Sequence, residues 1–133
     1  MQKKFVISVI VMFIASMLLG FLVHATLLHS AYAKLPNLFR PEAQAQGYFA
    51  YMLAAHLFIA IGFTWIYRQG KEDKPWLMQG LRFGAAVAVM MTIPTYLIYY
   101  AVQPIPSALV AQQIAYDSIA VLIMGMLVAW VNK

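Results

Sequence analysis

The chain has 133 residues, of which 64% are hydrophobic and only 10% charged, with a mean hydropathy of +0.78. An average soluble domain carries about a quarter charged residues, and a chain this small has too much surface to keep so many apolar side chains from water. A water-soluble globule is therefore excluded, and the absence of cysteine excludes disulfides, thiolate metal sites and cysteine nucleophiles.

A bilayer core about 30 Å thick needs about 20 apolar residues at 1.5 Å rise per residue. Four runs of that length predict four spans at 5–29, 48–67, 80–101 and 107–131, so that 1–133 forms one transmembrane domain. The opening Lys3-Lys4 and the later Ala31-Tyr32-Ala33 imitate a secretory signal with its cleavage site. The apolar run between them is about twice a typical signal core, and a retained span is expected.

The first outer loop, 30–47, places Leu35 just before Pro36, and Leu38 and Phe39 between Pro36 and Pro41. This pattern predicts a segment lying on the membrane surface or folded over the mouth of the bundle. The connection from Arg68 to Gln79 is polar, with Pro75 set to start the next helix and Trp76 at the interface. The last connection, 103–107, is short enough to make the third and fourth spans antiparallel neighbours, with Ser107 as the expected N-cap.

Lys3, Lys4, Arg68, Lys71, Lys74, Arg82 and Lys133 fall at one set of span ends, against Lys34 and Arg40 at the other. Basic residues are retained on the cytoplasmic side, so both termini are expected inside. The net charge of +5 then reflects insertion and anionic headgroups, with no nucleic-acid partner. The expected fold class is an all-α integral membrane four-helix bundle with both termini cytoplasmic.

Polar side chains at membrane depth cost about 2.5 to 3.5 kcal/mol on insertion scales and should face the bundle interior. Counted from the outer ends, His24 lies about 9 Å deep, His56 about 12 Å and Asp117 about 15 Å. Gln113 lies one turn above Asp117, Tyr116 is beside it, and Thr92 and Thr95 flank Pro94 at similar depth. Small residues (Ser16 and Gly20 on the first span, Gly84 and Ala88 on the third) continue these stripes toward the inner end. The prediction is a bundle tight at its cytoplasmic end, with a polar pocket of Asp117, Gln113, Tyr116, Thr92 and Thr95 toward the outside.

Facing histidines on a helix pair are one way membranes hold b-type haem, so His24 and His56 are the residues that would ligate such a cofactor. The alternative is hydrogen-bonding glue between helices. Asp117 must be protonated, paired or wet at its depth, and with an imidazole it could pass a proton or bind a cation. Its structural alternative is a single buried bond keeping helices in register. No Gly-rich phosphate loop, Walker lysine or H-E-x-x-H motif occurs, so no ATP-driven chemistry or metalloprotease site is expected, and no metal site is assigned.

The segments G-F-L-V-H-A-T-L-L-H (20–29), A-A-H-L-F-I-A (54–60), W-I-Y-R-Q-G (65–70) and Q-G-L-R-F-G (79–84) resemble the small four-span bacterial inner-membrane proteins grouped as domains of unknown function. The resemblance implies a bacterial inner-membrane location and carries over no catalytic residue. The resulting expectation is a non-enzymatic accessory or small-ligand-binding membrane subunit, forming a homo-oligomer or part of a larger membrane complex. A b-haem electron carrier and a proton or cation pathway centred on Asp117 are the alternatives.

Overall fold

The computed structural model describes residues 1–133 and is helical with no strands. Four helices are long and apolar enough to cross a bilayer: Gln2–Leu27, Glu42–Gln69, Trp76–Val102 and Ser107–Val131. The protein is a multi-pass membrane protein, and these are its first to fourth spans. The two largest departures from the apolar runs are at helix starts, because polar residues such as Glu42 and Gln44 begin the second helix ahead of its hydrophobic part and Pro75 starts the third at Trp76. Ser107 is not a cap: it is the first helical residue, preceded by Pro106 in the cap position, and no side-chain cap bond forms.

The two termini and the 70–75 turn lie together at one end, here called the terminal end. Lys4 Nζ donates to the Lys133 carbonyl at 3.3 Å, Arg68 Nη1 to the Met1 carbonyl at 3.4 Å, and Lys71 to the Asn132 carbonyl. Buried Asn132 donates to buried Ser8 at 2.9 Å, tying the end of the fourth span to the first.

Packing is tightest in this half. A Cβ added to Gly80 would lie 2.6 Å from the Gly125 carbonyl oxygen, and one added to Gly84 would lie 2.9 Å from Leu122 Cα. The third and fourth backbones touch there because Gly80 and Gly84 on one and Gly125 on the other carry no side chain, which is how helices associate when lipid offers no hydrophobic drive. Met12, Ala60, Phe63, Tyr67, Met124 and Val128 complete the core above this seam. Phe63 and Tyr67 meet Phe83 edge-on at 4.7 and 5.5 Å between centroids.

The opposite end, where the 28–41 and 103–106 loops lie, is built differently. Val23, Leu28, Ile105, Leu109 and Val110 form a second apolar cluster, and Tyr32, Leu35 and Leu38 pack on it. The long loop therefore folds over the bundle, and it contains a short helix, His29–Ala33.

Two stretches leave the α register. Phe21–Leu27 and Ala88–Thr92 are π-helical, with Leu28 N–H bonded to the Val23 carbonyl at 2.9 Å and Ile93 N–H to the Ala88 carbonyl. Pro94 has no N–H to donate to Met90, and the widened turn lies immediately before it, as helices often do where a proline interrupts the ladder. Both π segments lie toward the loop end and border the same cavity.

Candidate functional site

The loop-side half of the bundle forms an open-sided cavity of about 610 Å³. Its walls come from all four spans, and its polar rim includes His24, His56, Thr92, Thr95, Tyr96 and Asp117. The rest is largely apolar, including Met17, Leu19, Ile59, Met91 and Met124.

His24 is the hub. Its Nε2 lies 3.1 Å from Asp117 Oδ2 on the fourth span, and its Nδ1 lies 2.6 Å from the Tyr32 hydroxyl, the two rings lying nearly parallel with centroids 5.9 Å apart. Gln113 Nε2 donates to the same Tyr32 hydroxyl at 3.2 Å. Tyr96 donates to Asp117 Oδ2 from the third span. First, third and fourth spans thus meet at one carboxylate.

Donor and acceptor roles follow from this pattern. With Gln113 donating to Tyr32, one arrangement that satisfies every partner has Tyr32 donate to His24 Nδ1 and His24 Nε2 donate to Asp117. Burial raises the Tyr32 hydroxyl above the ordinary tyrosine value, a shift opposed by the Gln113 bond and increased by the Asp117 charge.

His56 belongs to a second, smaller arrangement. Its Nδ1 lies 3.0 Å from Ser16 Oγ, and Ser16 donates its one proton to the Phe13 carbonyl at 3.0 Å. Ser16 can therefore only accept from His56, which fixes the proton on Nδ1 and leaves Nε2 as a lone-pair acceptor. The ring lies over Gly20, where an added Cβ would come 3.3 Å from it. His56 is thus seated about one helical turn deeper along the first span than His24.

Of the residues anticipated as a pocket, Asp117, Thr92 and Thr95 line the cavity; the two threonines make no side-chain hydrogen bond. Gln113 is 7% exposed and reaches the site through Tyr32, while its carbonyl oxygen is buried without a partner. Tyr116 does not join them: it packs on the loop-end apolar cluster and forms no side-chain hydrogen bond. His24 and His56 border one cavity, but both ring nitrogens of His24 are engaged by protein groups, so ligating iron would require breaking one of those bonds.

Sequence reasoning missed Tyr96 and Tyr32. Tyr96 falls on the Thr92 stripe at i+4 and was legible from that spacing. Tyr32 enters the sequence reading only within the signal-like segment Ala31-Tyr32-Ala33. On a straight helix it would lie about 12 Å from His24 and about 80° around the axis; the break at Leu28, with φ −100° and ψ 2°, folds it back.

No curated protein and no solved structure matches the chain. A family model described as a protein of unknown function (DUF1761) matches residues 7–129, nearly the whole of the bundle just described, and the chain belongs to that family.

Proposed function

We propose that the chain is a non-enzymatic, small-ligand-binding integral membrane protein, working as an accessory subunit or homo-oligomer in a bacterial inner membrane with both termini cytoplasmic. The observation that carries this reading is the 610 Å³ cavity, largely apolar in its walls and bordered by the Asp117–His24 pair. Cavities of about 300 to 1,000 Å³ with an apolar lining and a few convergent polar groups are the usual form of small-molecule sites. The basic residues gathered at the terminal end support the orientation.

Native mass spectrometry of the protein extracted in mild detergent tests the reading. A small-molecule adduct is expected on wild type and not on Thr95→Phe, which places a ring in the cavity. Identical spectra for the two proteins would overturn it.

A second reading, a proton or cation pathway at Asp117, draws support from the unbroken chain Gln113–Tyr32–His24–Asp117–Tyr96. Against it, the core toward the terminal end is closed by Met12, Met124 and Val128. Haem held by His24 and His56 has weaker support still, given the occupied nitrogens of His24. An absorption spectrum distinguishes it: a reducible Soret band lost in His56→Ala would establish haem.

A further inference from the structure

We infer that the cavity receives a single-chain amphiphile with a protonated primary amine as its head, entering sideways from the bilayer between the second and third spans. The inference rests on the small-ligand reading above and names the ligand class.

The head-group chemistry follows from the atoms the protein leaves open. Asp117 uses Oδ2 for both His24 and Tyr96, while Oδ1 has no protein partner. The Asp117 side chain is 20% exposed, so this oxygen is not sealed away among protein atoms. His56 spends its Nδ1 proton on Ser16, leaving Nε2 as a bare acceptor. Thr92, Thr95 and Tyr99 also border the cavity with hydroxyls that can donate or accept, whereas Asp117 Oδ1 and His56 Nε2 can only accept, so a head that satisfies these two must donate.

Charge selects further. Asp117 is the one acidic side chain on the cavity wall, and a carboxylate at membrane depth is costly unless a cation accompanies it. No Lys or Arg borders the cavity. A carboxylate or phosphate head would be repelled, and a hydroxyl would donate without neutralising. A quaternary ammonium would neutralise without donating. A primary ammonium does both, with three N–H groups for two acceptors.

The body of the ligand follows from the remaining wall, where Met17, Leu19, Ile59, Met91 and Met124 offer only apolar contact. Its route follows from the packing. The second span packs along the first and has no extended backbone contact with the third. Met52 and Met91 line the cavity from those two spans yet are 53% and 54% exposed. The cavity wall is thus continuous with the lipid-facing surface.

Equilibrium dialysis of labelled octylammonium, octyltrimethylammonium, octanol and octanoate against the protein in non-ionic detergent at neutral pH tests the assignment. Octylammonium should bind saturably and at least about tenfold more tightly than the other three, the range expected for hydrogen bonds to a charged group. Asp117→Asn should reduce it to the level of octanol. His56→Leu, which keeps the carboxylate, should lower the preference severalfold and serves if Asp117→Asn fails to fold. Octanol or octanoate binding wild type as tightly as octylammonium overturns the head-group assignment while leaving the cavity as a binding site. Unchanged amine preference in both variants overturns the assignment to Asp117 and His56. If no probe binds wild type saturably, the small-ligand reading itself falls.

Discussion

His24 Nε2 and Asp117 Oδ2 lie 3.1 Å apart although 93 residues separate them in the chain, joining the first span to the fourth. The pair also orients its neighbours, since Tyr32 holds the other nitrogen of the imidazole and Tyr96 the same carboxylate oxygen. Interhelical hydrogen bonds in membranes couple by about 0.6 kcal/mol on average and up to about 1.7. A double-mutant cycle of His24→Ala and Asp117→Ala, read by reversible unfolding in mixed micelles, should give a coupling toward the upper end of that range. Additive losses would mean that the two side chains do not interact. Asp117→Asn alone keeps the size and a carbonyl acceptor, and should cost about 1 kcal/mol or less.

Tyr32→Phe should destabilise by about 1 to 2 kcal/mol, because it leaves His24 Nδ1 and the Gln113 amide without their partner at once. Burial raises the Tyr32 hydroxyl above 10.0. The folded state therefore favours the protonated phenol, and this contribution is fully present below pH 10 and lost as pH rises through the raised value. A spectrophotometric titration, taken as wild type minus Tyr32→Phe, should show a midpoint above 10 in the folded protein. A difference titration centred at the ordinary value would mean that Tyr32 is exposed.

The glycine seam makes a contrast within one residue type. Gly80→Ala and Gly84→Ala each drive a Cβ to within 2.9 Å or less of the fourth-span backbone and should destabilise by about 1 to 3 kcal/mol. Gly62→Ala meets nothing within 4 Å and should be neutral or stabilise by up to about 1 kcal/mol through helix propensity. Thermal denaturation of the three variants in one detergent checks the order. Equal effects at Gly62 and Gly80 would remove the seam as the reason for tight packing.

Both ends of the chain share one end of the bundle, where Lys4 reaches the Lys133 carbonyl. A reporter that works only in the cytoplasm should be active when fused after Lys133, and a periplasmic reporter inactive. The reverse result would turn the bundle over and place the cavity in the cytoplasmic half.

Composition alone determined the solvent, and with it the architecture. Lipid offers no partner to backbone N–H and C=O groups, so four apolar runs had to become four helices of spanning length. The small residues Gly84 and Ala88 and the polar layer of His24, His56 and Asp117 were legible as well, because helical periodicity puts i and i+4 on one face. The hydrogen bonds were not. Tyr32 joins His24 because a π segment and the break at Leu28 change the register and direction of the chain, and neither is encoded in a 3.6-residue pattern. Tyr116 faces away from the site although Asp117, its immediate neighbour, defines it, since adjacent helical residues point about 100° apart. The free state of Asp117 Oδ1 and of His56 Nε2 depends on which groups of other spans reach Oδ2 and Nδ1. Only the packing of the spans against one another could decide that.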